Sequence, residues 1–394
     1  MRIVQLSFPG RFEDAFLYMG RLIVITEKRS VRIYDMKSVV NKLEENKLLL
    51  DAPTLLFFRN DRIKSKRFRN RLDNETGKQS FLKAVNGLES EQIKITTDFV
   101  EPVEWDLKIP ADIMLDLNIY NGRLYIGTNT GLYHLDLDWE AETTKPINTA
   151  QKRLDAKCIH TTAKYGTVNA SCGSDGWFSF LDDFDLGMSN SRKEKHNLEY
   201  SLRTAWLDFD LVNYPTTVTP TLFNSVKTRF PKQLINSKKN VEPEKWLITD
   251  FLEDNKFELN RLFVNLNSPY EIDIEDLQFV HNTAQALFLR TYNNQLFALG
   301  LETSSLNNPT VSYVKEYDGL NSLVSSLHTL SGGNSPALVL ETDEQVILFA
   351  HKTFTPVFDG EVISIRTFSG SKHYRNIISL TTSNEVLLIA IFDE

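Results

Sequence analysis

Apolar and polar residues alternate along most of the chain, in short runs broken by turn residues. The clearest case is Ile113 to Asp136, IMLDLNIYNGRLYIGTNTGLYHLD, where Asn121-Gly122 and Asn129-Thr130-Gly131 separate three alternating runs. Alternation puts every second side chain on one face of a strand, and Asn-Gly readily takes the left-handed conformation that a tight hairpin requires. The stretch therefore predicts a small antiparallel meander.

The same order recurs. Tyr18-Met19-Gly20-Arg21-Leu22-Ile23-Val24-Ile25-Thr26 aligns with Tyr120-Asn121-Gly122-Arg123-Leu124-Tyr125-Ile126-Gly127-Thr128. Val31-Arg32-Ile33-Tyr34-Asp35 then aligns with Leu132-Tyr133-His134-Leu135-Asp136. Five weaker copies run over Ala156 to Leu181, Leu202 to Lys227, Leu277 to Leu301, Leu323 to Ala350 and Val362 to Phe392. Their turns carry Gly, Asn, Asp or Ser, as at Ser174-Asp175-Gly176, Asn293-Asn294, Gly332-Gly333-Asn334 and Ser383-Asn384. Undisturbed units repeat about every 40 to 50 residues, the length of one four-stranded propeller blade.

Seven units is the count this pattern favours. Val241 to Asp273 and Ile93 to Leu107 have room for further strands, so six or eight stay open. MRIVQLSF stands ahead of the first unit as an orphan strand. In a closed propeller such a strand completes the last blade beside Glu385 to Phe392, covering both edges. The expected fold is all-β: a single β-propeller over residues 1–394, seven four-stranded blades closed by the N-terminal strand, with helical and loop insertions.

The largest insertion is expected at about 37–110, with irregular connections at about 185–200 and 228–274. Met36 to Leu49 places Val39, Val40, Leu43 and Leu48 between charges and reads as a short amphipathic helix. Asp73 to Ser90 is mostly polar, and Gly77 and Gly87 are expected to break it. The whole segment is expected on one rim of the propeller, where insertions in repeat arrays often meet partners.

Composition narrows the class. The 394 residues carry a formal net charge of −8, which argues against nucleic-acid binding over the whole surface but not against a local basic patch. Two cysteines, Cys158 and Cys172, are too few for a disulfide scaffold. No run approaches the roughly 18 apolar residues of a membrane span, and the N-terminus lacks a signal-peptide core. A cytoplasmic protein without membrane contact is the expectation.

Candidate chemistry is sparse. Arg59 to Arg71, RNDRIKSKRFRNR, holds seven basic residues with Asp61 alone opposing. Arg59, Arg62, Lys64, Lys66, Arg67, Phe68, Arg69 and Arg71 are the candidate partner-binding residues. Interleaved cations and aromatic rings suit a phosphate backbone or an acidic protein surface; a solvated loop balancing an acidic body is the plainer alternative. The seven histidines have neither the spacing of HExxH nor a Cys-x-x-Cys companion, so no metal site is expected. Asp182-Asp183 and the pair Asp208 and Asp210 lie near strand ends, where Asp commonly forms turns. Nothing marks a catalytic residue, a phosphate loop or a cofactor site.

The repeats resemble the β-propeller superfamily in its WD40-like or quinoprotein-like sense, over roughly residues 1–36 and 111–394. Ile33-Tyr34-Asp35 and His134-Leu135-Asp136 keep the acid that ends the third strand of many WD40 units, whereas the chain's one Trp-Asp pair, Trp105-Asp106, lies ahead of a unit and ends no third strand. The resemblance implies a rigid scaffold with loop-bearing faces and carries over no catalytic residue. The leading expectation is a non-catalytic scaffold or regulatory subunit of a cytoplasmic complex, with another protein as partner. A nucleic-acid sensor using residues 59–71 and a hydrolase or lyase with a central-channel site stand as the alternatives. A defence or conflict system is one setting for such a subunit.

Overall fold

A computed structural model describes residues 1–392 except 48–50, 112, 141–143, 165, 183–193, 208–209, 226–250, 265, 267–271, 284–285, 303–308, 318–323, 331–336 and 351–352. Seven antiparallel sheets follow one another along the chain. Blade 1 comprises Phe12–Tyr18, Arg21–Thr26, Ser30–Asp35 and, after the insertion, Val103–Asp106. Blade 2 is built on Met114–Tyr120, Arg123–Thr128 and Leu132–Asp138. Blade 3 runs from His160–Lys164 to Glu194–Asn197, and blade 4 from Arg203–Leu207 to Phe251–Glu258. Blade 5 runs from Leu277–Asn282 to Thr310–Tyr317, and blade 6 from Val324–Leu330 to Thr353–Asp359. Blade 7 takes Ser364–Thr367, Ile377–Thr381 and Glu385–Phe392 from one end of the chain and Arg2–Pro9 from the other.

All seven repeat units coincide with blades, and the orphan strand completes the last one. Arg2 to Pro9 pairs antiparallel with Phe392 to Glu385 without a register shift. The aligned turns also behave alike. Met19-Gly20 has φ of 42° and 77°, and Asn121-Gly122 has 46° and 75°. Two successive left-handed residues match the twist of the flanking strands in a two-residue hairpin.

The expected irregular connections at 185–200 and 228–274 lie partly outside the described residues, as does Gly332-Gly333-Asn334. Their described parts supply the outer strands of blades 3 and 4, Glu194–Asn197 and Phe251–Glu258. Of the stretches with room for hidden strands, Ile93 to Leu107 contains Ile93–Lys94 and Val103–Asp106. Both join existing sheets and add no blade.

The chain divides into two compact units. One contains blades 6, 7 and 1 with the insertion; the other contains blades 2 to 5. Within each unit neighbouring blades bury apolar faces against each other, as between Leu380 and Leu387 of blade 7 and Val339 and Leu348 of blade 6. No described helix is long and apolar enough to cross a membrane.

The insertion is more helical than its composition suggests. Helix α1 spans Met36–Lys47, α2 Lys66–Leu72 and α3 Glu75–Glu89. Asp35 starts α1 by accepting from the Ser38 backbone N–H (3.2 Å) and hydroxyl (2.7 Å). Helix α3 runs through Gly77 and Gly87, contrary to the expected breaks. Its buried face, Phe81, Ala84, Val85 and Leu88, has helical spacing, and that burial outweighs a glycine penalty of about 1 kcal/mol per site.

The insertion packs closely against blade 7. Its apolar residues Val39, Leu56, Phe57 and Phe81 share one core with Val4, Leu6 and Phe8 of the N-terminal strand and Val386, Leu388 and Phe392 of its partner. The Phe81 and Phe392 rings meet edge-on at 5.3 Å. Ile93–Lys94 pairs in parallel with the outer edge of the N-terminal strand. Next to it the Ile95 N–H donates to the Ser7 carbonyl at 2.7 Å, and the Ile3 N–H donates to the Glu89 carboxylate at 2.8 Å. An exposed strand edge invites pairing with other chains, and the insertion covers this one.

Candidate functional site

The basic stretch is built on three consecutive turns of different winding. Thr54–Phe58 forms a π-helical turn closed by the Arg59 N–H to the Thr54 carbonyl at 2.8 Å. Its wide winding turns Leu55, Leu56 and Phe57 into the core together. Asn60–Lys64 tightens to a 3-10 turn, and α2 follows. The Ser65 hydroxyl accepts from the Phe68 N–H at 3.2 Å and sets the start of that helix.

The candidate residues divide sharply. Arg59 turns back to Asp61 at 3.7 Å, and Asp61 lies 3.1 Å from the His373 ring in the loop after the first strand of blade 7. The Asn60 N–H donates to the His373 carbonyl at 3.1 Å. Arg59 thus belongs to the joint that fixes the insertion to its blade. Phe68 is buried, its ring edge-on to Phe81 at 5.1 Å, so it anchors α2 from below. Arg62, Lys66, Arg67 and Arg69 are exposed and have no ion pair among the described residues. The side chains of Lys64 and Arg71 lie outside the described residues.

This leaves four cations on a short segment of 3-10 turn and helix. The first turn of α2 contains Lys66 and Arg67 and no acid. Cations there oppose the positive end of the helix dipole, at a cost of about 0.3–1 kcal/mol each at low salt. An anion brought to this surface would relieve that cost. Of the aromatic rings in and beside the run, Phe57 is fully buried, Phe68 is 8% exposed and Phe58 is partly buried against the same core. They offer no platform for stacking bases.

Beside these cations lies a pocket of about 280 Å³. Arg62 and Arg67 stand at it, Thr54 and Ser65 contribute hydroxyls, and Leu55 and Phe68 supply apolar surface. Asp51 adds one carboxylate. Of the candidate residues read from the sequence, Arg62, Arg67 and Phe68 line this pocket. The sequence did not reveal this pocket, which depends on the π-helical turn bringing Thr54 and Leu55 against α2.

Elsewhere the ionisable groups serve the scaffold. Asp14 accepts from Ser364 Oγ (2.9 Å) and Arg366 Nε (2.8 Å), tying blade 1 to blade 7. Asp116 accepts from the backbone N–H and the hydroxyl of Thr161, both at 2.6 Å, tying blade 2 to blade 3. Sequence reasoning missed both carboxylates. The signal was present, because extending the alignment of Tyr18 with Tyr120 four residues upstream sets Asp14 over Asp116. In each case a β-bulge immediately precedes the Asp and turns its side chain toward the neighbouring blade.

Asp182 is buried and paired with Arg123, which also holds Asp136 at 2.6 Å. Burial pushes the Asp182 carboxyl up, against the pull of Tyr125 and Arg123. Asp210 is buried in blade 4, while 183 and 208 lie outside the described residues. The Cys158 thiol is raised by its hydrogen bond with Cys172 and by burial, the opposite of what an activated nucleophile needs. His196 stacks on Phe178 at 4.0 Å, and His281 accepts from Arg203 at 2.7 Å. Among the described residues no three His, Cys, Asp or Glu side chains gather as a metal site would require.

No protein-family profile matches the chain, and no curated protein matches it. Solved structures to which it is similar include the WD40 β-propeller domain of Doa1, at TM-score 0.47 and 9% identity, covering 98% of this chain and 94% of that one. The N-terminal domain of Nup159 aligns at TM-score 0.46 and 10% identity over 100% of this chain and 96% of that one. A chain of the mitotic checkpoint complex aligns at 0.46 and 9% identity, over 100% and 94%. By the number and pairing of its own strands, this chain is a seven-bladed β-propeller.

Proposed function

We propose that the protein is a non-catalytic interaction subunit that offers its insertion to an acidic surface of another protein. The observation that supports this reading is the set of four exposed, unpaired cations, Arg62, Lys66, Arg67 and Arg69, on a segment rooted in the blade 7 core. A mobile basic loop would lose entropy on binding, whereas this segment is already ordered by Phe57, Phe68 and Phe81. Protein is favoured over nucleic acid as partner because the aromatic rings are buried under the cations rather than displayed among them.

The test is affinity capture of the full chain from its native cells. Replacing Arg62, Lys66, Arg67 and Arg69 together with Glu is expected to release the partner while leaving the melting temperature within a few degrees of the parent. Retention of the same partner by the variant would overturn the reading.

A further inference from the structure

The pocket beside α2 has a composition that selects among acidic partners. We infer that it receives one large apolar side chain of an acidic linear peptide, with a flanking carboxylate held by Arg62 and Arg67. This rests on the reading that the insertion docks an acidic protein, and it names the element of that protein which is recognised.

Three observations carry the inference. The first is size. At about 280 Å³ the pocket lies below the roughly 300–1,000 Å³ typical of small-molecule sites, which suits a single anchoring side chain. The second is the order of its lining. Leu55 and Phe68 are 5% and 8% exposed, so the apolar surface forms the base, while the exposed Arg62 and Arg67 stand at the mouth. A ligand must therefore present an apolar group first and negative charge beside it. An aromatic or aliphatic anchor ringed by polar contacts is the usual form of a binding hot spot.

The third is charge complementarity with a limit. Two guanidiniums can pair with a carboxylate in the two-pronged geometry that arginine favours. The Thr54 and Ser65 hydroxyls can receive main-chain groups of a peptide. Asp51, also at the pocket, opposes a dense run of phosphates. A phosphodiester strand has no apolar side chain to place against Leu55 and Phe68.

The inference is tested with the full chain and an acetylated, fluorescent nonapeptide of eight Glu around a central Phe, in 50 mM salt. Binding is expected with a Kd below about 1 mM. Replacing the central Phe by Ala should weaken it about tenfold, and replacing the Glu residues by Gln should weaken it at least tenfold. Arg62→Glu and Arg67→Glu, both at exposed positions, should each abolish measurable binding with unchanged melting. Thr54→Trp should fill the pocket and remove the preference for Phe over Ala while leaving a weak, salt-sensitive attraction.

Equal binding of the Phe and Ala peptides, no binding of either, or a single-stranded oligonucleotide of equal charge binding more tightly would each overturn the pocket's role. The wider reading has its own readout. If native capture depends on the four cations but not on Thr54→Trp, the docking face stands and the apolar anchor falls. If capture is indifferent to the cations, both fall.

Discussion

Asp14 and Arg366 meet across the seam between the first and last blades, both guanidinium Nε and a terminal nitrogen donating to one carboxylate. The Asp14 side chain is 7% exposed and that of Arg366 20%. Removing one partner of such a pair leaves the other poorly solvated, which costs more than the pair itself contributes. Asp14→Ala is expected to destabilise the chain by about 3 kcal/mol in urea unfolding. A change below about 0.5 kcal/mol would mean the seam is held by apolar packing alone.

The phenyl rings of Phe81 and Phe392 link α3 to the C-terminal strand. Each truncation to alanine should cost about 3–5 kcal/mol, because each ring is buried. The double variant should fall short of the sum by about 1 kcal/mol, the size of an edge-on ring pair. Strict additivity would show that the insertion and blade 7 are energetically separate.

Gly87 lies within α3, and a Cβ placed there meets nothing within 4 Å. Gly87→Ala is therefore expected to stabilise the protein by about 0.5–1 kcal/mol, through helix propensity and a less flexible unfolded chain. A melting temperature that stays level or drops would indicate that this position makes a contact through its open face.

Burial keeps His134 neutral and lowers it from 6.5 to about 4, with Asp136 pulling the other way. In the unfolded chain the imidazole titrates near its ordinary value. As pH falls, the unfolded state takes up this proton first, so the neutral histidine's stabilising effect is whole above about pH 6.5 and declines toward pH 4. The total is up to roughly 3 kcal/mol. His134→Gln should flatten the fall in stability between pH 6.5 and 4 relative to the parent. Parallel urea curves at pH 7.0, 5.5 and 4.5 would expose an unchanged slope and refute this.

Deleting Met1 to Phe8 removes the strand that pairs with Phe392 to Val386. A loss of several kcal/mol and a broader unfolding transition are expected, since Val4, Leu6 and Phe8 sit at the centre of the shared core. Unchanged melting would show that blade 7 is stable with three strands.

The blades were legible because their physics is local. A period of two, a turn residue able to take positive φ and a regular spacing survive in Met19-Gly20 and Asn121-Gly122 without help from distant residues. The insertion was less legible for the opposite reason. Gly77 and Gly87 read as breaks in isolation, and only the packing of Phe81, Val85 and Leu88 against a strand from the other end of the chain makes α3 a helix. The burial of Phe68 was not legible, because a lone aromatic in a basic run leaves no period to detect. The pocket depends on the depth of the π-helical turn, which no pattern of residue types encodes.

The insertion's anchoring on Phe392 has a bearing on biosynthesis. The basic segment leaves the ribosome long before Val386, Leu388 and Phe392, and until those residues emerge Phe81 and Phe57 lack the part of their core that those residues supply. The surface that carries Arg62 and Arg67 therefore gains its full core only once the distal strand has been translated and paired. On the proposed reading, a partner that required Arg62 and Arg67 in these positions would bind only chains in which the distal strand has paired.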